Sequence, residues 1–431
     1  MKFFIETYGC QMNLSDSFEL KKLLEDNGLE ESQSEEEADA IIVNTCSVRN
    51  TAEERVFGRL GFLKGLKNKK PNLKIYVIGC MAQLWGKELF SKAPHIDGVF
   101  GTYNRSKVVQ HLLAKDSYVV DVSMDRYEFL PPSVDYQFPF KASVTVIHGC
   151  NHACTYCVVP KTRGREVSRP LNEIVENIKK LVDEGVVDVQ LLGQNINSYG
   201  RDIGTSFKEL LKEVNKIEGL RRISFLTSHP VNFTEDLIDT ISELDKVYRY
   251  FHLPVQSGSN KILKLMRRGY TREKYLKLIE YLRKKIPDAS VSTDIIVGFP
   301  YETEEDFNST LDLVKEVRFD FAYMFVFNPR RGTISAEMQE QVPEEIKTER
   351  IQKLVALQHS ISKENNLKDI GKEFEILVEE KGRYKGQLLG RTRYNKIVAF
   401  EGRENLIGKF IKVRVERLSG NTLIGKVVVK C

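Results

Sequence analysis

The sequence predicts an α/β fold in three parts: an N-terminal parallel α/β sheet, a partial (β/α)6 barrel and a small C-terminal β-barrel. Three observations carry this reading. Apolar runs ending in short turns and leading into helical stretches recur through residues 1–117. The same alternation returns through 142–368, and residues 369–431 change to short strands separated by glycine turns. The chain has 431 residues, 41% hydrophobic and 29% charged, enough to bury more than one core. Apolar runs such as IYVI at 75–78 are far shorter than the ~20 residues of a membrane span, so no membrane role is expected. The start, MKFFIETYGC, carries Glu6 and no extended apolar segment, so it does not read as a secretory signal, and a cytoplasmic location follows as the expectation. Seven cysteines in such a chain point to metal binding or catalysis before disulfides; Cys431, the last residue, reads as incidental.

In the first part, KFFIETYGC leads into DSFELKKLLEDNG, ADAIIVNTC into TAEERVFGRLGFLKGL, LKIYVIGC into WGKELFSKA, and HIDGVFGTYN into SKVVQHLLAK. Strands alternating with helices predict a parallel sheet, whose ligand site lies beyond the carboxyl ends of the strands. Cys10, Cys46 and Cys80 all fall at that end, so residues far apart in sequence are predicted to converge. A buried cysteine is common, but three at equivalent strand ends argue for a shared role. Residues 118–141, with MDRYEFLPPSVDYQFPF and its paired prolines, read as a linker.

The second part opens on the strand SVTVIHGC. Five further strand candidates follow: VDVQLLGQN, RRISFLTSH, YRYFHLPVQ, ASVSTDIIVGFP and FDFAYMFVFNP. Helical segments such as LNEIVENIKKLVDEG and REKYLKLIEYLRKK separate them, giving six βα-type units and a barrel short of eight-fold closure. EEIKTERIQKLVALQHSISKENNL is a long amphipathic helix leading out of it. The third part reads as strands EFEILVEE, GQLLGRTRYNKIVAF, KFIKVRVERL and TLIGKVVVK, a small barrel of the kind that binds single-stranded or loop nucleic acid. Residues 371–431 hold 14 Lys and Arg against 7 Asp and Glu, a net +7, so the other 370 residues sum to −2. A basic terminal domain on a near-neutral body predicts a polyanionic partner, RNA first.

The chemistry sits in HGCNHACTYC. Cys150, Cys154 and Cys157 form a C-x3-C-x2-C triplet, and three close thiolates hold three irons of a four-iron cubane and leave the fourth open. Structural zinc is the alternative, but it asks for a fourth ligand, for which only His148 and His152 are near. An iron–sulfur cluster suits an all-thiolate site at a barrel strand end better. Tyr156, just before the last cysteine, is placed to pack against a cluster or cofactor. By the rule that barrel sites lie at the carboxyl ends of strands, Gly193, Gln194 and Asn195, Ser228 and His229, Gln256, and Asp294 are site candidates. Arg163, Arg165 and Arg169 in TRGREVSR are suited to phosphate or carboxylate. In GRTRYNK, Arg391, Arg393 and Lys396 interleave with Tyr394, basic groups for a backbone and a ring for a splayed base.

The triplet with its aromatic resembles the radical S-adenosylmethionine (SAM) superfamily. The longer string GCNHACTYCVVPKTRGREVSRP, together with YGCQMN, NTCSVRNTAEER and IGCMAQ, resembles the methylthiotransferases, of the MiaB type, over essentially the whole chain. The resemblance implies an N-terminal methylthiotransferase domain, a radical-SAM barrel and a TRAM domain. It implies one [4Fe–4S] cluster on Cys150, Cys154 and Cys157, whose open iron chelates SAM, and a second on Cys10, Cys46 and Cys80 that presents sulfur. The superfamily has segments near the SAM amino group where LLGQNINSYG ends the second strand, which makes Gly193, Gln194 and Asn195 candidates for SAM, and Tyr156, Ser228, Gln256 and Asp294 join them by their place at the cysteine loop and strand ends. The implied reaction methylates sulfur with one SAM, cleaves a second SAM reductively and installs a methylthio group at C2 of N6-isopentenyladenosine in tRNA. Arg163, Arg165, Arg391, Arg393, Tyr394 and Lys396 are the RNA candidates, with an external electron donor as a further partner and a monomer as the assembly. Within the family the alternatives are threonylcarbamoyl-adenosine in tRNA and a ribosomal-protein aspartate; YGCQMN with NTCSVR and the +7 tail favour the isopentenyladenosine branch. Outside it, a non-enzymatic iron–sulfur RNA-binding sensor has no need of a six-strand barrel cavity.

Overall fold

A computed structural model describes residues 1–47, 50–114 and 118–428, so Cys431 lies outside the described residues. Six parallel strands build the N-terminal sheet: β1 (Lys2–Thr7), β2 (Glu30–Glu31), β3 (Ala40–Thr45), β4 (Lys74–Gly79), β5 (Gly98–Phe100) and β6 (Val119–Asp121), in the order β2-β1-β3-β4-β5-β6. β3 is buried at every position because helices cover both sheet faces. Its alternating side chains feed two cores. Ile41 and Val43 meet Val56, Leu60 and Leu63 of α2 (Asn50–Lys69), while Ala40 and Ile42 face Leu20 and Leu24 of α1 (Gln11–Asp26).

β6 corrects the expected boundary: the segment read as a linker begins with an edge strand paired to β5. Regular structure stops after Asp121, well before the paired prolines, and Tyr127 and Leu130 beyond it are buried rather than extended into solvent.

The barrel strands are β7 (Lys141–Thr145), β10 (Asp188–Leu192), β11 (Arg222–Phe225), β12 (Tyr250–His252), β13 (Ser290–Val297) and β14 (Phe321–Val326); β8 (Ile147–His148) and β9 (Val167–Ser168) form a short antiparallel ribbon between β7 and β10. Two parallel ladders, β11-β10-β7 and β12-β13-β14, are joined by a parallel bridge between Ile223 and Val247. Among the described residues β7 and β14 do not pair, so the barrel stays open on one side, as six units predict. The outer helices close the core with one face. In the helix Leu171–Asp183, Ile174, Ile178 and Leu181 are buried at spacings of four and three.

The terminal barrel is closed in the order β15 (Glu373–Lys381), β16 (Gln387–Thr392), β17 (Ile397–Glu401), β19 (Thr422–Val427), β18 (Phe410–Ser419). The segment expected as one strand, GQLLGRTRYNKIVAF, is a hairpin, β16 and β17. The Thr392 hydroxyl accepts from the Tyr394 and Lys396 amides at 3.2 and 3.1 Å, and Asn395 takes a left-handed φ of 62° that asparagine tolerates.

Arg222 fastens this domain to the amino end of the large barrel. It is 4% exposed, donates to the carbonyls of Arg391 and Glu375 at 2.7 and 2.9 Å, and lies 4.7 Å from the Phe410 ring. Arg222→Ala removes two charged hydrogen bonds and a stacked ring together. The variant is expected to be less stable by about 2–4 kcal/mol, read by denaturant unfolding, with the terminal domain becoming the first site of limited proteolysis.

Candidate active site

The N-terminal cysteines stand at the carboxyl ends of three adjacent strands. Thr45 is in register with Gly79, so Cys46 and Cys80 are the next residues on neighbouring strands about 4.8 Å apart. Cys10 follows β1 and caps α1. Asn13, fully buried, ties the third to the other two: its Oδ1 lies 3.4 Å from both the amide and the thiol of Cys10, and its Nδ2 donates to Asn44 Oδ1 and the Thr45 carbonyl, both at 3.1 Å. Gly79 has to be glycine, since its φ is 93° and a Cβ would stand 2.5 Å from the Thr45 carbonyl oxygen. Cys46 and Cys80 are buried and Cys10 is exposed, so the set opens on one side. Burial pushes the Cys80 thiol above its usual range, with the Arg163 guanidinium pulling against it and Cys10 adding to the rise.

The second set lies in the loop between β8 and β9. Gly149, at φ 80°, lets the chain pass where a Cβ would meet the Arg165 carbonyl at 2.0 Å, and the Cys150 amide donates to the Gly164 carbonyl at 3.1 Å. Burial raises Cys150 to about 12 and Cys157 to about 11, and in both cases the neighbouring thiols of the set add to the rise. Thiols raised in this way give up their protons when they take metal. The Val159 amide donates to the Cys157 sulfur at 3.4 Å and Arg268 Nη1 to the Cys154 sulfur at 3.4 Å, the kind of contact that tunes iron–sulfur ligands.

Among the described residues no three His, Cys, Asp or Glu side chains close around one point as a single ion requires. A cubane asks for something else, since each thiolate binds its own iron. The two histidines weighed as zinc ligands are engaged elsewhere. His148 is fully buried and stacked on Tyr127 at 3.6 Å, and His152 stacks on His229 at 3.8 Å with its Nε2 2.8 Å from the Asn232 amide. The donor set fits clusters better than zinc.

A cavity of about 430 Å3 opens beside Cys157, in the size range of small-molecule sites. Tyr156, Gln256 and Asp294 line it with Met324 and Phe327. Gln256 holds a left-handed φ of 73°, a strained conformation that the bridge to Ile295 keeps in place. His252, which sequence reasoning passed over, lies 3.3 Å from Asp294 and 2.9 Å from the Ser292 hydroxyl. The remaining candidates for SAM lie outside this cavity, toward Cys150. Gln194 accepts from the Gly149 amide, and Gly193 packs where a Cβ would be 2.3 Å from Ile147. Asn195 donates to Ser198, Asn232 and Glu166, and among the described residues the buried Ser228 hydroxyl has no partner.

Known domain families match in the order the sequence led one to expect: the Uncharacterized protein family UPF0004 over residues 2–101, the Radical SAM superfamily over 144–314 and the TRAM domain over 368–428. A tRNA-2-methylthio-N(6)-dimethylallyladenosine synthase of Carboxydothermus hydrogenoformans is 49% identical over 422 residues, 96% of each chain. Its namesake in Aquifex aeolicus is 45% identical over 438 residues, 99% of this chain and 98% of that one. The chain belongs to this synthase family. Dimethylallyl and isopentenyl name the same substituent, so the family is the one the cysteine strings resembled. Among solved structures, the radical S-adenosylmethionine methyltransferase TsrM from Kitasatospora setae shares the fold with a TM-score of 0.55 at 14% identity, covering 75% of this chain and 72% of that one.

For a member of this synthase family, the arginines are placed differently from the sequence expectation. Arg163 is 3% exposed and paired with Asp16 at 2.7 Å, so it is not offered to RNA; Arg165 is exposed. Arg169 is buried against Glu173 and the Leu130 carbonyl. The GRTRYNK group faces the barrel instead of solvent. Arg391 binds Glu379, Arg393 donates to the carbonyls of Asp245 and Val247, the Tyr394 hydroxyl donates to Asp288, and Lys396 pairs with Asp369. A basic and aromatic turn reads the same in sequence whether it meets phosphates or the acids of a neighbouring domain. Arg268 was missed because nothing in RRGY marks it. It is 5% exposed, beside Cys154, and its partners are the Tyr270 hydroxyl, the Pro254 carbonyl and that sulfur, with no described carboxylate pairing with it.

Asn13→Ala is expected to free the Cys10 turn from β3 and leave Asn44 and the Thr45 carbonyl unpaired. The cost is about 1–3 kcal/mol in urea unfolding, together with a lower iron content at the N-terminal set after reconstitution.

Proposed function

We propose that the protein installs a methylthio group at C2 of N6-isopentenyladenosine in tRNA, as a radical-SAM methylthiotransferase. The observation that carries this is the meeting of the two cysteine sets. The short helix Val159–Arg163, which follows Cys157 directly, packs along the helix Cys80–Trp85, and its last residue, Arg163, pairs with Asp16 on the helix that Cys10 caps. A site that must join sulfur to carbon needs both reagents held in register, where small misplacements cost large factors in rate. When bound, a [4Fe–4S] cluster on Cys150, Cys154 and Cys157 with SAM supplies radical chemistry for an unactivated C–H bond, and one on Cys10, Cys46 and Cys80 supplies the sulfur.

The chain's own residues do the rest. Asp294, oriented by His252, and Gln256 present polar groups to a ligand in the cavity beside Cys157. Arg268 offers the unneutralised positive charge that a SAM carboxylate requires. Tyr156, Met324 and Phe327 form an apolar wall that keeps water from a reactive carbon. Electrons come from an external donor, since each reductive cleavage consumes one. Both cysteine sets and the cavity come from a single chain, which supports a monomer working in the cytoplasm beside its tRNA.

For RNA, the exposed tip between β15 and β16 takes the role that composition suggests for GRTRYNK. Arg383, Tyr384 and Lys385 stand out between Gly382 and Gly386, Tyr384 is 67% exposed, and Arg383 lies over its ring at 6.0 Å. Tyr384→Ala is expected to weaken tRNA binding by about 1–3 kcal/mol in filter binding. Removing Arg383 and Lys385 together is expected to flatten the salt slope by about 0.7 for each phosphate no longer neutralised.

Nucleoside mass spectrometry after incubating hypomodified tRNA with reconstituted protein, SAM and reductant tests the whole reading. A gain of methylthio on isopentenyladenosine is expected, and its absence at full iron loading overturns the proposal. Fully loaded protein is expected to hold about eight irons, two cubanes' worth. Replacing Cys150, Cys154 and Cys157 with Ala is expected to leave about four and to abolish 5′-deoxyadenosine formation; cleavage surviving in that variant refutes the assignment.

A further inference from the structure

We propose that Arg163 sets the reduction potential of the N-terminal cluster from across the domain boundary, its free N–H donating to a sulfur of that cluster. The inference rests on the reading that Cys10, Cys46 and Cys80 hold an iron–sulfur cluster, and it adds a residue to that site from the other domain.

Arg163 is 3% exposed, and its Nη2 donates to Asp16 Oδ2 at 2.7 Å. Among the described residues its buried Nη1 has no hydrogen-bond partner. Native folds rarely leave such a donor unpaired, and when they do, an absent ligand is a leading reason. The helix Val159–Arg163 packs along the helix Cys80–Trp85, which begins at Cys80, and Asp16 sits on the helix that Cys10 caps, so the orphaned donor lies in the neighbourhood of those two sulfurs. Asp16 does not absorb the whole charge of Arg163, because it is shared: Arg105 Nε stands 3.5 Å from its other oxygen, while Arg105 Nη2 binds Glu19 at 2.7 Å. Arg163, Asp16, Arg105 and Glu19 thus form a buried chain of alternating basic and acidic groups, with the Arg163 Nη1 left over at its end.

The helix cannot swing that N–H away. The Thr102 hydroxyl donates to the Thr162 carbonyl at 2.6 Å, and Gly164 passes so close to the Tyr103 hydroxyl that a Cβ there would meet it at 2.4 Å. At its other end the same helix gives the Val159 amide to the Cys157 sulfur. One five-residue element therefore touches both cysteine sets and is bolted to the N-terminal domain between them. A positive charge and an N–H···S bond both favour the more negative, reduced form of a cluster and raise its potential. Arg163 is a positioning and tuning residue in this account: it acts through the cluster and touches no substrate.

The test uses the full-length chain carrying Cys150→Ala, Cys154→Ala and Cys157→Ala, reconstituted with iron and sulfide, so that the N-terminal cluster is titrated alone by electron paramagnetic resonance. Adding Arg163→Gln is expected to shift the one-electron equilibrium at least tenfold toward the oxidised form, about 59 mV more negative. Adding Asp16→Asn in place of it, which leaves Arg163 with its charge undivided, is expected to move the potential the opposite way. Arg163→Lys, which keeps the charge but not the fork, is expected to fall between Gln and the parent. Opposite shifts from the two neighbours are not produced by loosened packing, which moves both variants alike. Equal potentials in all four proteins at matched iron content, or shifts of one sign, overturn the inference about Arg163. A parent triple variant that assembles no cluster overturns the cluster reading beneath it. If Arg163→Gln alone fails to fold, the Arg163→Lys shift decides: a negative shift at matched iron content supports the proposal, and a zero or positive one overturns it.

Discussion

The buried pair between Asp16 and Arg163 is the constraint on which the rest of this architecture depends. Asp16 sits on the helix that Cys10 caps, and Arg163 ends the helix that follows Cys157. Both are 3% exposed, so their attraction acts in a poorly screened interior, and removing either partner would strand a charge at a cost of about 3–5 kcal/mol. A pair of that kind adds little to stability compared with apolar packing, but it fixes register. Here the register is between two domains, each carrying one set of thiols. Hydrophobic contact could hold the domains together over a range of angles; a buried pair inside a chain of four linked acidic and basic groups holds them at one.

The same economy runs through the cavity beside Cys157. Its walls are mostly apolar, and its few polar groups are positioned by others. His252 orients Asp294, and a left-handed backbone aims Gln256. Arg268 is held by the Tyr270 hydroxyl and the Pro254 carbonyl, so its remaining N–H is directed at the Cys154 sulfur. Reactive carbon chemistry needs such a site: few polar groups, each immobile, and no loose water. The terminal barrel contributes stiffness of a different sort. Its hairpin 391–396 is given over to docking on the amino end of the large barrel, which leaves the opposite tip, with Tyr384, to face outward.

Much of this was legible from spacing alone. Cys10, Cys46 and Cys80 end strands of a parallel sheet, and β3 and β4 bring Cys46 and Cys80 into register as strand alternation implies. Asp294, Gln256 and Tyr156 were reachable from the rule that barrel sites gather at strand ends, and they line one cavity with Cys157. Other positions were not legible. Arg163 and the GRTRYNK residues have the composition of a phosphate-binding surface, yet Asp16, Asp288 and Asp369 claim them, and these acids lie from 27 to 147 residues away in sequence. Polar side chains on α1, Asn13, Ser15, Asp16, Ser17 and Glu19, give no amphipathic signal; they are buried against distant polar partners, Asn13 and Ser17 against Asn44, Glu19 against Arg105 and Asp16 against Arg163 of the second domain.

The sequence by itself determined the two thiol triplets, the order of the three domains and the strand ends at which chemistry collects. Each of these follows from periodicity and covalent spacing, which are local and need no partner. Only the tertiary structure decided which basic groups are spent inside the molecule and which remain for RNA. It also decided that the two triplets are joined through one short helix, and that a single guanidinium stands between them with a donor to spare. The physical reason is that a charge takes its meaning from what neutralises it, and in a folded chain that partner comes from a distant element brought near by packing.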